Sequence, residues 1–151
     1  MHPHEARVRE LLEAIDRCDS DAVAACYHEE IFFSDAIFPS LRGEEAIAMW
    51  RALVGRARDL SVTVESVSAD DEGARAIWVA RYSLGRDGRP VVTRIDSLFA
   101  FRDGLIVRHF DRYSFWRWAA QALGPVGAAF GWFAPFKWWV RKRARRVYLR
   151  E

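Results

Sequence analysis

The chain has 151 residues, a length that fits a single domain. Its composition, 51% hydrophobic and 14% aromatic, is typical of a globular protein and excludes a disordered chain. The net charge of +2 divides into +6 for residues 137–151 and −4 for the rest, so the sequence does not support nucleic-acid binding across the domain.

The first third of the chain predicts three helices and one short strand. The first helix has apolar residues at the spacing of one helix face: Val8, Leu11, Leu12 and Ile15. Asp19 or Ser20 can cap a second, shorter helix that runs through Tyr27. Residues 31–35 then indicate a strand. A third helix begins near Glu44, and its apolar face is Ile47, Trp50, Leu53 and Val54.

The next part of the chain predicts strands, which cover residues 60–67, 74–84, 91–102 and 105–115. Gly85-Arg86-Asp87-Gly88 and Asp103-Gly104 are typical of hairpin turns. Helices followed by an antiparallel meander predict an α+β fold, with the helices on one side of a curved sheet. We assign residues 1–115 to this domain and residues 116–151 to a helical extension of it.

The extension has no charged residue from Trp118 to Phe136, which is 19 positions. That length approaches a membrane span of about 20 residues, but Gly124-Pro125 favours two short helices. After Pro135 an apolar stripe faces away from several arginines; its members are Phe136, Trp139, Val140, Ala144 and Val147. Three interpretations follow: helices packed on the domain or at a dimer interface, peripheral attachment to a membrane, or a true span.

Three aspartates lie in predicted strands, where aspartate is disfavoured: Asp35, Asp96 and Asp111. A carboxylate among apolar side chains is unfavourable unless it is paired, hydrogen-bonded or protonated. Desolvation can turn it into a general base or a neutral donor. For each one alone the alternative is a side chain that points into water, but three together predict a shared pocket. His109 shares a strand face with Asp111 and Tyr113, and without further ligands at a diagnostic spacing no metal site is expected.

The run from Cys18 to Asp35 resembles the nuclear transport factor 2 superfamily, which includes ketosteroid isomerase and the SnoaL-like polyketide cyclases. The shared pattern is a helix, an acidic break, a helix that ends in tyrosine, and a strand with an acidic residue. Residues 43–47 resemble the start of the third helix of the family, and residues 95–101 resemble its central strand. The resemblance covers roughly Val8 to Phe115 and implies a conical α+β barrel around a deep apolar pocket.

The resemblance also implies roles for the acidic residues. Asp35 falls where ketosteroid isomerase has its general base, and Asp96 falls where that enzyme has a protonated aspartic acid in its oxyanion hole. Asp111 and His109 lie near the acid/base aspartate of the cyclase branch. The oxyanion-hole tyrosine of the family aligns near Leu11, which cannot donate a hydrogen bond, and this departure counts against steroid-type isomerisation.

The expected pocket lining is apolar and aromatic: Phe33, Trp50, Trp78, Tyr82, Leu98, Tyr113 and Leu11. The expected activity is proton removal beside the carbonyl of an apolar molecule by Asp35 or Asp111. Asp96 or Tyr82 would stabilise the enolate oxygen, and no cofactor is required. The alternatives are a non-catalytic module that binds a lipophilic ligand, and a membrane-peripheral or oligomeric scaffold that uses the C-terminal helices.

The expected partners are a small apolar molecule and a second copy of the chain in a homodimer, with no nucleic acid. Peripheral membrane contact would go through residues 116–151. The N-terminus has no apolar stretch of the kind found in secretory signals, so a cytoplasmic location is expected. Cys18 and Cys26 are interpreted as reduced thiols, since two cysteines do not make a disulfide framework.

Overall fold

The fold is built on one curved, mixed β-sheet. The computed structural model describes residues 1–57, 59–84 and 88–149. Its elements in chain order are α1 (Pro3–Asp16), α2 (Ser20–Ala25), β1 (Tyr27–Ser34), β2 (Leu41–Arg42), α3 (Glu44–Arg56), β3 (Ser61–Asp70), β4 (Gly73–Leu84), β5 (Arg89–Arg102), β6 (Leu105–Arg112), α4 (Phe115–Leu123), α5 (Pro125–Phe130) and α6 (Ala134–Leu149). The strand order is β2-β1-β6-β5-β4-β3. Only β1 and β6 pair in parallel within the described residues, and the sheet does not close.

The first helices form as the sequence predicts. The four apolar residues of the α1 stripe are fully buried in the main core. Asp19 caps α2, because its Oδ1 accepts a hydrogen bond from the Ala22 N–H at 3.0 Å. However, α2 ends at Ala25 and β1 already begins at Tyr27. Sheet pairing explains this early end, since the Cys26 carbonyl accepts from the Ile106 N–H at 3.0 Å.

The β5–β6 turn confirms the Asp103-Gly104 prediction. Both residues have positive φ, 54° and 77°, as a two-residue hairpin turn with the right twist requires. Arg102 and Leu105 pair on either side of the turn. For the other predicted turn, at Gly85 to Gly88, residues 85–87 lie outside the described part of the chain.

A bulge in β6 decides which side chains face the core. The register between β5 and β6 shifts between Ala100 and Phe101, so that Ile106 is fully buried instead of Val107. Beyond the bulge, His109 and Asp111 point inward as predicted. The strand ends at Arg112 and not at Phe115, because Ser114 caps α4 by accepting from the Arg117 N–H at 3.2 Å.

The C-terminal helices pack on the domain. The break predicted at Gly124 separates α4 from α5. The Gln121 side chain on α4 covers the part of β5 that extends beyond β6, accepting from the Val92 N–H at 2.8 Å and donating to the Val92 carbonyl at 3.1 Å. A second core cluster joins β5, α4 and α6: Val91, Phe115, Trp118, Ala119, Ala122 and Val140. In the described residues, no helix has the length and apolar character needed to cross a membrane.

Candidate functional site

A cavity of about 1100 Å³ lies between the concave face of the sheet, α3 and α6. This volume is large enough for a drug-sized organic molecule. All five ring-bearing residues that were predicted to line the pocket lie at the cavity wall: Phe33, Trp50, Trp78, Tyr82 and Tyr113. The C-terminal helices add Trp118, Trp139 and Tyr148, which were not among the predicted lining residues.

Asp35 is a carboxyl at the wall of this cavity, just after β1. Its Oδ1 accepts from the backbone N–H groups of Ile37 at 2.8 Å and Phe38 at 2.6 Å. Burial raises the pKa of Asp35 to about 7 and outweighs these hydrogen bonds, which favour the charged form. The nearby Asp111 charge raises the pKa further. Asp35 is therefore a carboxyl that can exchange a proton near neutral pH.

Asp111, the second cavity carboxyl, is held by a buried hydrogen-bond network. Its Oδ1 lies 2.6 Å from His109 Nε2 and accepts from Ser97 Oγ at 2.5 Å. Ser97 Oγ in turn accepts from the Trp78 indole N–H at 2.8 Å. These contacts meet at one carboxylate oxygen and fix the orientation of the Asp111 side chain.

His109 lies behind Asp111 and does not line the cavity. It is fully buried, and its Nδ1 is 2.8 Å from the Tyr27 hydroxyl. Burial raises the pKa of Tyr27 well above its ordinary value, so this hydroxyl keeps its proton. With Tyr27 donating to Nδ1, the other ring nitrogen can donate to Asp111. The Trp50 ring stacks on His109 at 5.9 Å and locks its orientation. His109 thus positions a carboxyl and has no direct access to a ligand.

Two tyrosines supply neutral hydroxyls beside the carboxyls. Burial raises the pKa of Tyr82 to about 12 and that of Tyr113 well above its ordinary value. Tyr82 accepts from the Trp118 indole N–H at 2.9 Å, so its own O–H proton is available for donation. The charge of Asp35 contributes to the raised pKa of both tyrosines. Such protonated donors can stabilise a developing oxyanion.

Asp96 lies on the opposite, outer face of the sheet, which corrects its predicted place in the pocket. It forms a two-point ion pair with Arg75, at 2.9 and 2.7 Å, and a further contact with Arg112 at 3.2 Å. These cations lower the pKa of Asp96 below its ordinary value, with the Arg75 hydrogen bonds as the largest cause. An ionised carboxylate on the outer surface does not provide the neutral donor that the resemblance implied.

Two predicted lining residues are also placed elsewhere. Leu98 shares the outer face with Asp96 and is 41% exposed. Leu11 is fully buried in the α1 stripe, where it packs in the core and not at the cavity wall. The alternation along β5 turns its even-numbered residues outward, which places Leu98 on the outer face. Leu11 packs in the main core, whereas Ile15 is the residue of α1 that reaches the cavity.

Ser97 and Tyr27 were missed by the sequence prediction. Ser97 alternates with Ile95 and Phe99 along the inner face of β5, and that alternation could have identified it. Tyr27 had no such signal, since it was assigned to a helix and its partner His109 lies 82 positions away.

Helix α6 forms one side of the cavity and is joined to the rest of the domain by polar and aromatic contacts. Arg141 donates to the Ala36 carbonyl at 2.9 Å, and Arg145 pairs with Glu45 on α3 at 3.0 Å. The Tyr148 ring meets Phe38 edge-on at 6.1 Å. Of the described α6 residues, only Val140 is buried. The wall is therefore closed by a helix with a small buried face.

The described residues contain no cluster of three or more His, Cys, Asp or Glu side chains arranged to hold a metal ion. The polar chemistry of the described cavity wall is therefore that of carboxyls, hydroxyls and indole or guanidinium donors.

Comparison with known proteins confirms the family and the fold. The SnoaL-like domain model matches residues 8–109. Curated proteins give no match. The resemblance to the SnoaL-like members of the nuclear transport factor 2 superfamily is thus confirmed.

Similar solved structures come from several bacteria. A hypothetical Catenulispora acidiphila protein with a ketosteroid isomerase-like fold, in complex with trimethylamine, has a TM-score of 0.68 at 20% identity and covers 79% of this chain and 93% of its own. An LEH-like epoxide hydrolase from M. tuberculosis has a TM-score of 0.68 at 19% identity, covering 85% and 93%. A candidate polyketide cyclase from Xanthomonas campestris has a TM-score of 0.63 at 24% identity, covering 79% and 96%. At these identities the similarity establishes the fold alone.

Proposed function

The chain belongs to the SnoaL-like domain family, and we propose that it binds an apolar carbonyl compound and catalyses cofactor-free proton transfer at the carbon beside the carbonyl. The observation that carries this proposal is a carboxyl, Asp35, with a pKa of about 7 in the wall of a large apolar cavity. A general base works best when its pKa lies near the working pH.

We assign the proton abstraction to Asp35. Its Oδ1 is occupied by two backbone N–H groups, so Oδ2 is the atom for the substrate proton. The proton leaves carbon, the electron pair moves towards the carbonyl oxygen, and the resulting enolate takes a proton back at carbon or oxygen. Both steps need only a base and a donor, without redox chemistry.

Tyr82 is the donor that we assign to the enolate oxygen. Burial keeps its hydroxyl protonated and the Trp118 indole N–H orients it, so it can donate to the developing negative charge without reorganisation. Asp111 is the second acid/base group, oriented by Ser97 and His109. The pairing of two carboxyls in different environments is typical of sites that divide base and acid roles.

The experiment measures the rate at which the proton beside the carbonyl is replaced by deuterium in D₂O. NMR monitors this exchange for a panel of cyclic ketones and β-keto esters. Exchange should accelerate as pH rises through about 7, because Asp35 must be ionised to accept the proton. Asp35→Asn should lower the exchange rate by about 100-fold or more, and Asp111→Asn should lower it as well.

Asp96→Asn is the matched control, since it makes the same chemical change on the outer face and should leave exchange within about twofold. Equal exchange in the wild type and in both cavity variants would refute the catalytic proposal.

The second candidate is a binding module for a lipophilic ligand without chemistry. It is favoured by Leu11, which aligns near the tyrosine that the resemblance to ketosteroid isomerase implies and which is buried in the core without offering a donor. This alternative predicts that wild-type protein binds members of the panel, measured by a ligand-dependent rise in Tm, and exchanges none of them.

A further inference from the structure

The C-terminal helices expose a cluster of aromatic side chains, most of which belong neither to the core nor to the cavity wall. We name it the aromatic patch, and its members are Trp116, Phe130, Trp132, Phe133, Trp138 and Trp139. Trp132 is 72% exposed and Trp138 is 60% exposed. Exposed apolar groups in such a cluster mark an interaction site more often than scattered single residues do.

The aromatic patch is continuous across the α5–α6 connection. Trp132 contacts Phe133 with ring centroids 5.7 Å apart. Phe136 bridges Phe130 at 6.2 Å and Trp139 at 6.0 Å. These contacts join the end of α5 to the first turns of α6, and Trp132 and Phe133 lie in the connection between the two helices.

Cations lie against rings of the aromatic patch, and the segment of the sequence that forms the patch has no acidic residue. From Arg112 to Arg150, with both included, the chain has nine basic residues and no acidic one. Lys142 lies over the Trp138 ring at 4.6 Å, and Arg143 lies over the Trp139 ring at 5.7 Å. The aromatic rings and the ammonium or guanidinium groups thus occupy the same face, as on helices that lie in the interface of a membrane.

We propose that the aromatic patch docks on a membrane surface that contains anionic lipids. Tryptophan and phenylalanine would enter the headgroup region, and the surrounding cations would pair with lipid phosphates. A second copy of the chain fits less well, because two identical patches would bring like charges together without an acidic partner from this segment.

The aromatic patch adjoins the cavity, so docking on a membrane would bring the cavity close to the lipid. Trp139 belongs to the patch and also lines the cavity, together with Arg143 and Val147 of the same helix. Docking would therefore place the α6 wall of the cavity at the lipid surface, where apolar compounds concentrate. This part of the inference rests on the proposed function, whereas docking itself can be tested without any substrate.

The test is flotation of the full chain with vesicles of phosphatidylcholine alone and with 30% phosphatidylglycerol, at about 0.1 M and 1 M salt. We expect binding to the anionic vesicles at low salt and much weaker binding to the neutral ones. Lys142→Gln should lower the partition coefficient about fivefold, since one cation contributes about 1 kcal/mol near an anionic surface. Trp132→Ala with Trp138→Ala should lower it about tenfold or more.

The control is the pair Leu98→Ala and Arg108→Gln, which removes an exposed apolar side chain and an exposed cation from the outer face of the sheet. This pair should bind vesicles like the wild type, and circular dichroism should show that all variants are folded. Failure to float with anionic vesicles would overturn the proposal, as would equal binding to neutral vesicles. A dimer in sedimentation that only the tryptophan variants disrupt would assign the patch to self-association instead. Loss of docking would leave the exchange chemistry at Asp35 unaffected, so the two proposals fail separately.

Discussion

Asp35 combines a functional advantage with a cost to stability. Its pKa of about 7 in the folded protein lies above the ordinary value of 3.8. The folded protein therefore binds this proton more tightly than the unfolded chain does. The stabilising contribution of the proton is complete below about pH 4 and is lost as pH rises through 7. At alkaline pH the native state contains a desolvated carboxylate, which is unfavourable.

Asp35→Asn should consequently raise the free energy of unfolding at pH 8, by up to roughly 4 kcal/mol, and change it little at pH 4. The amide removes the charge and retains an oxygen that can accept from Ile37 and Phe38. Urea unfolding at the two pH values measures the difference. Asp96→Asn should act in the opposite direction at pH 8, by about 1 kcal/mol or less, because it breaks a surface ion pair. A loss of stability in Asp35→Asn at pH 8 would contradict the assignment.

At the level of secondary-structure elements, the close contact of α4 and α5 depends on one glycine. A Cβ added at Gly127 would lie 1.9 Å from the Ala119 carbonyl oxygen and 2.4 Å from its carbonyl carbon. Both are backbone atoms, which cannot move aside without shifting a helix. The absence of a side chain at Gly127 therefore permits α5 to fold back on α4 and to carry the aromatic patch.

Gly127→Ala should lower the free energy of unfolding by about 1–3 kcal/mol, the usual effect of overpacking. Gly55→Ala is the matched control, since Gly55 lies in α3 and a Cβ there meets no atom within 4 Å. That substitution should stabilise the protein by about 0.5–1 kcal/mol through helix propensity. Thermal unfolding of the two variants measures the contrast. Equal Tm shifts of the same sign would show that the α4–α5 contact can relax.

At the scale of the whole molecule, the cavity is closed by segments from both ends of the chain. The sheet and α3 contribute many fully buried side chains to the core, whereas α6 adds few and is held by contacts such as Arg145–Glu45 and Arg141–Ala36. Segments with few buried apolar contacts open at lower free energy than the core. α6 is therefore the side of the cavity through which a ligand is expected to enter.

Hydrogen exchange followed by mass spectrometry tests this expectation. Amides of α6 should exchange faster than those of β4 and β5, and an apolar ligand in the cavity should slow exchange in α6 more than in α1. α1 is the internal control because its buried face, which includes Val8, packs in the main core, and only Ile15 of this helix reaches the cavity. Equal protection of α6 and α1 by a bound ligand would place the entrance elsewhere.

The homodimer and the domain boundary at residues 115 and 116 stay predictions.

Much of the fold could be predicted from local patterns. The apolar stripe of α1, the cap at Asp19, the Asp103-Gly104 turn and the break at Gly124 each depend on residues within a few positions of one another. Such signals involve only neighbouring residues, so they can be recognised in the sequence without knowledge of the tertiary structure. The strand ends were less accurate, because pairing with a distant strand moved the start of β1 to Tyr27.

The candidate site could be predicted only in part. Two of the three strand aspartates, Asp35 and Asp111, reach the cavity, but Asp96 does not. Both faces of β5 contain apolar residues, with Leu98 outside and Ile95 inside, so composition could not separate them. The bulge at β6 and the network through Ser97 also depend on how two strands pair.

The sequence by itself determined the family, the order of helices and strands, and the presence of carboxyls where strands disfavour them. Only the tertiary structure decided which carboxyls are desolvated. The pKa of Asp35 rises because the cavity removes water from it, and that cavity is walled in part by α6, about 100 positions further along the chain. Asp96 lies in an equally unusual sequence, yet it is ionised beside Arg75 on the outer face. Desolvation is a property of packing between distant segments, which no local pattern encodes.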